Sequence, residues 1–142
     1  MIMKFEAPDG SIIENPNTET LRANIDNFPD YWDQGHGGAI IDCYNDDKLE
    51  SSLLIFPSEE HGIYLKYLTP EDGLVKAEWV SMENPSNLST WTECSDEWYA
   101  SVGLFMPLEK AWSGIKYYLE TGERSPDIDW KHHSEMPEES NW

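Results

Sequence analysis

The sequence contains little positive charge. Only nine of its 142 residues are lysine or arginine, against 28 aspartates and glutamates, which gives a formal net charge of −19. Phosphate backbones and anionic lipid headgroups are bound chiefly by basic side chains, so this balance disfavours nucleic acid and membranes as direct partners. It favours a basic protein instead, because complementary electrostatic fields accelerate association.

Cysteine and long apolar runs are also scarce. Cys43 and Cys94 are the two cysteines, neither lies in a CxxC motif, and we expect both to be reduced thiols. The opening "MIMKFEAPDG" lacks the apolar segment of a signal peptide, and no apolar run approaches the roughly 20 residues that span a bilayer. These absences predict a cytoplasmic protein.

Aromatic residues, in contrast, are plentiful. The chain has seven tryptophans, seven tyrosines and four phenylalanines, far more than acidic disordered chains contain. Its length suits one domain with a sizeable core. We therefore expect a single domain over residues 1–142, in which the aperiodic residues 131–142, "KHHSEMPEESNW", form a flexible tail.

Apolar periodicity predicts an α+β fold. Leu21, Ile25 and Phe28 recur at helical spacing after a cap at Asn17 or Thr18. Four short segments rich in β-branched and aromatic residues follow, and their short turns require antiparallel pairing. These segments read "AIIDCY", "SLLIF", "IYLKYL" and "LVKAEWVSM".

The two faces of the predicted sheet differ in polarity. Ile63, Leu65 and Tyr67 alternate onto one face, whereas Lys66 points to a wetter face. After a polar loop and a strand in "WYASVGLF", the stretch "MPLEKAWSGIKYYLETG" predicts a helix that packs on the drier face. The expected fold is a single antiparallel sheet of about five to six strands, with an N-terminal and a C-terminal helix packed on one face.

Patterns typical of catalysis or metal binding are weak. His132 and His133 lack a third ligand at fixed spacing, and His36 and His61 lie in turns beside abundant carboxylates. "GHGG" does not match a phosphate-binding loop, and neither GxSxG nor HExxH occurs. We therefore predict no catalytic residues, no metal and no cofactor.

Acidic turns and two tryptophans form the candidate binding residues. Charges in turns also keep sheet proteins soluble, but tryptophans within acidic loops are less easily explained in that way. We predict a docking patch in which aromatic anchors lie among carboxylates. Its residues are Glu59, Glu60, Glu71, Asp72, Trp91, Glu93, Asp96, Glu97 and Trp98.

The C-terminal third, "MPLEKAWSGIKYYLETGERSPDIDW", resembles immunity protein family 1 of bacterial polymorphic toxin and contact-dependent growth inhibition systems. "GHGGAIIDCY" and "GIYLKYL" are compatible with earlier strands of that family. The resemblance implies an α+β protein without enzymatic activity that binds and neutralises a cognate toxin domain, often a nuclease or a nucleic-acid deaminase. It implies structural roles for five residues: Ala111, Trp112, Gly122, Pro126 and Trp130.

Two other functions stay open at this point. An acidic surface also suits a nucleic-acid mimic that inhibits a DNA-binding protein. A small hydrolase that uses His36 or His61 with nearby carboxylates is the third alternative.

Overall fold

Nine strands and two helices are found in the computed structural model, which describes residues 1–27, 39–71, 74–94 and 98–142. The strands are β1 Ile2–Glu6, β2 Ile12–Glu14, β3 Ala39–Asn45, β4 Lys48–Ser58, β5 Gly62–Glu71, β6 Leu74–Ser81, β7 Trp91–Cys94, β8 Trp98–Ser101 and β9 Trp130–His132. The helices are α1 Thr18–Asp26 and α2 Leu108–Thr121, and short 3-10 turns lie at Val102–Leu104 and His133–Glu135.

The main sheet is larger than the sequence predicts. Among the described residues it has seven antiparallel strands in the order β2-β1-β3-β4-β5-β6-β9, and β7 pairs with β8 in a separate two-stranded sheet. The α+β class and the β3–β6 meander are confirmed, but the count of five to six strands is too low. The first fourteen residues supply β1 and β2, which the sequence analysis missed although Met3 and Phe5 alternate as buried residues in "IMKFE".

The predicted N-terminal helix is α1. Asn17 is its N-cap, and the Asn17 side chain accepts a hydrogen bond of 2.7 Å from the Thr20 amide, which satisfies one of the free amides of the first turn. Leu21 and Ile25 are buried as the spacing predicts. Phe28, the third residue of that stripe, lies outside the described residues.

Both helices cover the same face of the sheet. Leu21 and Ile25 of α1 share one buried cluster with Ile115 and Tyr118 of α2, and β5 contributes its odd-numbered side chains. These are the side chains predicted for the dry face, namely Ile63, Leu65 and Tyr67. The predicted helix face is confirmed, since its remaining apolar residues also pack there: Leu108, Ala111, Trp112 and Leu119.

The opposite face is not the wet surface that the sequence predicts. Residues 83–105 were expected to be a polar loop and a strand, but their described parts, 83–94 and 98–105, pack with Met82 in a second buried cluster over Tyr64 of β5 and Val80 of β6. Its remaining buried members are Leu88, Cys94, Ala100, Leu104 and Phe105. The predicted strand in "WYASVGLF" is present as β8, but the burial of this face was missed because the buried residues follow neither a helical nor a strand period.

The segment after Trp130 also differs from the predicted flexible tail. Residues 130–132 form β9 on β6, and Met136 and Trp142 pack against the second cluster. Ser140 is buried, and Asn141 is hydrogen-bonded to the end of β8. This segment lacks periodicity because it binds through single anchoring residues and backbone hydrogen bonds.

Candidate functional site

The predicted acidic patch is divided between two ends of the sheet. Glu59 and Glu60 are exposed in the turn between β4 and β5, whereas Glu71 ends β5 and Asp72 lies outside the described residues. β5 is ten residues long, which corresponds to roughly 30 Å at about 3.3 Å per residue. The structure therefore does not bring these two acidic turns together.

The β7–β8 hairpin presents the aromatic residues of the patch. Its register pairs Glu93 with Tyr99 and Cys94 with Trp98, so the side chains alternate between an outer and an inner face. Trp91 is 51% exposed and Tyr99 is 48% exposed on the outer face, together with the exposed Glu93. Asp96 and Glu97, also predicted for the patch, lie outside the described residues.

Two hydrogen bonds hold the outer face of the hairpin. The Tyr99 hydroxyl donates to Oε2 of Glu93 at 3.2 Å, and the Trp91 indole N–H donates to the carbonyl of Glu139 at 3.0 Å. Tyr99 lies in the predicted strand "WYASVGLF" but had no predicted role. Glu139 was not predicted either, because nothing in the tail sequence indicates a contact with residue 91.

Residues 137–142 fix the edge of the hairpin. The Ser101 amide donates to the Asn141 carbonyl at 2.8 Å, and the Asn141 amide donates to the Ser101 hydroxyl at 2.8 Å. The side-chain amide of Asn141 also donates to the carbonyl of Tyr99. Because a two-stranded hairpin is at best marginally stable alone, these contacts hold the outer face in place.

Trp98 lies on the inner face of the hairpin, where it covers a buried lysine while the residue itself stays 45% exposed. Its ring stacks on Phe56 at 6.3 Å between centroids, and Nζ of Lys66 is 5.7 Å from each of the two ring centroids. The Lys66 side chain is only 9% exposed, and burial lowers its pKa, although the charge of Glu78 opposes that shift. Cation–π contact with the two rings offsets part of the desolvation cost.

Tyr64 lies beside this lysine-aromatic group. Its ring stacks on Phe56 at 4.7 Å, and its hydroxyl is buried without a hydrogen-bond partner among the described residues. Burial raises the pKa of Tyr64, so the phenol stays protonated at neutral pH. The group formed by Phe56, Tyr64, Lys66 and Trp98 therefore supports the hairpin from beneath.

The histidines that the sequence singles out have structural contacts where the structure describes them. His132 Nδ1 accepts the Ser134 amide at 3.2 Å, and His133 Nδ1 accepts the Glu78 amide at 3.3 Å. His61 lies 3.7 Å from a carboxylate oxygen of Glu60, and His36 is outside the described residues. Within residues 1–27, 39–71, 74–94 and 98–142, no group of three or more potential ligands is arranged to hold a metal ion.

The two cysteines lie in different cores. Cys43 belongs to the cluster under the helices and Cys94 to the cluster under the hairpin, and both are free thiols, as predicted. Burial raises the pKa of Cys43, and it raises that of Cys94 to about 12. Neither thiol is therefore activated as a nucleophile.

An open groove of about 390 Å³ lies between the two helices, and the arginine that lines it is already paired. Arg22 forms ion pairs with Asp26 and Glu109, and its guanidinium lies 5.4 Å from the centre of the Trp112 ring. The hydrogen bond from Arg22 lowers the pKa of Glu109. Arg22 therefore links α1 to α2 across this groove through Glu109 and Trp112.

The "TGERSP" exit of α2 has the structural role that its residues suggest. Gly122 adopts φ 72°, and its amide donates to the Tyr118 carbonyl at 2.7 Å. A Cβ at Gly122 would also lie 2.9 Å from Sγ of Cys43. Beyond it, the Trp130 indole donates to the Ser125 carbonyl at 3.0 Å, which anchors the chain as it returns to the sheet.

A buried polar group secures the same exit. The Ser51 hydroxyl lies 2.9 Å from the Tyr118 hydroxyl and donates to the Gly122 carbonyl at 2.9 Å. The guanidinium of Arg124 lies 3.7 Å from the centre of the Trp79 ring. These contacts join the end of α2 to the sheet.

Comparison of the chain with protein-family models, with curated proteins and with solved structures finds no match. The resemblance to immunity protein family 1 stays a prediction. In the part of the chain that the structure describes, no helix is long and apolar enough to cross a membrane.

Proposed function

We propose that this protein is a cytoplasmic immunity protein, which neutralises a cognate toxin by stoichiometric binding. The toxin is expected to be a domain that acts on nucleic acid, such as a nuclease or a deaminase. Such a domain presents a basic surface to its substrate, and a chain with a net charge of −19 complements it.

The observation that carries the proposal is the outer face of the hairpin. Trp91 and Tyr99 are each about half exposed there beside the carboxylate of Glu93. Exposed aromatic rings with fixed orientation are typical of interface anchors, and charged groups at the rim direct association. Solubility explains the carboxylates but not the rings.

The affinity needed is high, because a few toxin molecules suffice to harm a cell. A nanomolar dissociation constant corresponds to about −12 kcal/mol. An interface of roughly 1,600 Å² with a desolvated aromatic centre is sufficient for such an affinity. The hairpin supplies the aromatic centre of this interface, and Glu59 and Glu60 contribute long-range attraction.

Co-expression with the toxin domain encoded in the neighbouring reading frame tests the proposal. We expect the two proteins to copurify and growth to be restored. The variant Glu93→Lys is expected to associate roughly severalfold more slowly at low salt, whereas Glu14→Lys, the same charge change on the exposed strand β2, has a smaller effect. A toxin that ignores the protein at micromolar concentration would contradict the proposal.

Two other outcomes point to the alternative functions. Displacement of DNA from a DNA-binding protein by this chain, without any effect on a toxin, would favour the nucleic-acid mimic. Turnover of a substrate that is lost on replacing His36 and His61 would favour a hydrolase.

A further inference from the structure

We infer that the outer face of the hairpin and the C-terminal segment form one composite surface, which binds arginine side chains of the protein partner. This inference rests on the proposed function, because it specifies the chemistry by which the partner is held. The surface consists of Trp91, Glu93, Tyr99, Glu138 and Glu139, all of which are exposed.

The indole of Trp91 offers its ring face to a partner. Its only polar hydrogen is already donated to the Glu139 carbonyl, and about half of the residue stays exposed, so its contribution to a partner is chiefly aromatic. The same hydrogen bond restricts rotation of the ring before any partner arrives. Such preorganisation reduces the entropy that binding would otherwise cost.

A carboxylate is held beside the second ring. The Tyr99 hydroxyl donates to one oxygen of Glu93, which leaves the other oxygen as an acceptor. No lysine or arginine of the described chain forms an ion pair with Glu93. An aromatic face and a carboxylate acceptor therefore lie side by side on one exposed surface.

This combination favours guanidinium over ammonium. Guanidinium is planar and stacks on aromatic rings, and its in-plane N–H groups can donate to the free carboxylate oxygen while it is stacked, whereas the ammonium of lysine is compact and strongly hydrated. Net negative charge attracts both cations equally. The rings and the geometry of the carboxylate are what separate them.

The chain uses the same chemistry elsewhere for its own arginines. Arg22 combines the Trp112 ring with the carboxylates of Asp26 and Glu109. Arg124 stacks on Trp79. In both places arginine joins separate elements of the fold, and at the hairpin an arginine from outside would make the equivalent contacts.

Two peptides of equal charge test the preference directly. One is a decapeptide of alternating arginine and glycine, and the other has lysine in place of arginine. Titrated calorimetrically into the intact protein at low ionic strength, the arginine peptide is expected to bind about three- to tenfold more tightly. Equal affinity of the two peptides would overturn the inference.

Variants locate the preference on the composite surface. Trp91→Ala and Glu93→Gln are each expected to weaken the arginine peptide about two- to fivefold and to affect the lysine peptide less. Trp91→Phe retains a ring and is expected to retain most of the preference. Glu14→Gln matches the charge change of Glu93→Gln on strand β2 and should leave the preference unchanged.

Folding and function are separated by two further measurements. Circular dichroism and thermal unfolding establish that each variant is folded, and a preference unchanged in folded Trp91→Ala and Glu93→Gln overturns the inference. If the protein neutralises its toxin but both variants bind that toxin as tightly as the wild type, the inference fails and the function stands. If no toxin is bound but the arginine preference persists and is lost in Trp91→Ala, the proposed function is contradicted and the inference of an arginine-binding surface is supported.

Discussion

The two faces of the main sheet are covered in different ways. The face under α1 and α2 carries a cluster in which two amphipathic helices supply regularly spaced side chains, including Ile25 and Ile115. The other face is covered by residues 82–94 and 98–105 and by the C-terminal segment, which contribute side chains singly. The first arrangement follows from local periodicity, whereas the second requires contacts between distant parts of the chain. The candidate binding surface lies on this second side, opposite the helices.

The comparison predicts that the helix-covered face carries most of the global stability. Ile115→Ala removes a fully buried side chain from α2 and is expected to lower the free energy of unfolding by about 2–5 kcal/mol. Denaturant unfolding followed by circular dichroism measures this loss. Glu120→Ala on the exposed side of the same helix is the control, with an expected change below about 0.5 kcal/mol. A loss below about 1 kcal/mol for Ile115→Ala would contradict the comparison.

Truncation of the C-terminal segment is expected to act locally on the hairpin. Removing residues 138–142 deletes the Asn141 contacts with Ser101 and Tyr99 and the acceptor for the Trp91 indole. The free energy of opening the β7–β8 hairpin should fall by about 2 kcal/mol, seen as roughly 30-fold faster amide hydrogen exchange.

Exchange in the centre of the sheet is the reference for this truncation. Amides of β4 and β5 should change much less than those of the hairpin, and Asn141→Ala, which keeps the backbone bonds, should have a smaller effect than truncation. If hydrogen exchange were accelerated equally in the hairpin and in the sheet, the two sides would unfold as one unit, which would contradict a local effect.

Two buried serines, one on each side of the sheet, allow the stability of the two sides to be compared by single substitutions. Ser51→Ala removes the hydroxyl that bonds Tyr118 and Gly122 under the helices, and Ser101→Ala removes the hydroxyl that bonds Leu88 and Asn141 in the hairpin. Each is expected to cost about 1–2 kcal/mol, because each removes the two hydrogen bonds of a buried hydroxyl. Ser51→Ala should lower global stability, whereas Ser101→Ala should mainly accelerate exchange in the hairpin. The reverse pattern would contradict the assignment of global stability to the helix side.

The smallest expected effect is a gain of stability at the buried lysine. Because the folded-state pKa of Lys66 lies below its ordinary 10.5, keeping the ammonium buried costs free energy at neutral pH. Lys66→Met should therefore raise the free energy of unfolding by about 1 kcal/mol near pH 7. Lys116→Met, on the exposed side of α2, is the matched control and should change little.

The pH dependence of this gain has a defined sign. Between the lowered pKa of folded Lys66 and 10.5, the unfolded chain binds more protons, so this group makes stability rise with pH. The difference between Lys66→Met and the wild type should therefore shrink as pH approaches 10.5. Comparing the two proteins cancels the opposite effect of buried tyrosines such as Tyr118, whose raised pKa destabilises the fold at high pH. A difference that grows with pH would contradict this assignment.

The periodic elements of the fold were predictable from the sequence, but the packing of the hairpin segment over the second face of the sheet was not. The α2 stripe, the Gly122 cap and the alternation of Ile63, Leu65 and Tyr67 all follow from neighbours a few residues apart. β1 and β2 were missed although "IMKFE" alternates, because the two strands are only five and three residues long. So short an alternation is a weak signal within a sequence window.

The grouping of the candidate binding residues was predicted only in part, because it depends on contacts between distant segments of the chain. Trp91, Glu93 and Trp98 stood out because tryptophans are unusual in a polar stretch, and the structure places all three on one hairpin. Glu59 and Glu60 lie at a separate turn, and Tyr99 gained a role only through its bond to Glu93. Acidic residues in turns look alike in the sequence whether or not the fold brings them together.

The sequence by itself determined the charge of this protein, its α+β class and the helix-covered face of its sheet, because composition and short-range periodicity encode these properties. The tertiary structure alone decided that residues 82–94 and 98–105 cover the opposite face, that Lys66 is buried beneath Trp98, and that Asn141 is hydrogen-bonded to Ser101. These arrangements depend on which distant segments meet. Their stability comes from burial and hydrogen bonds formed after the chain has folded, and no local pattern specifies them.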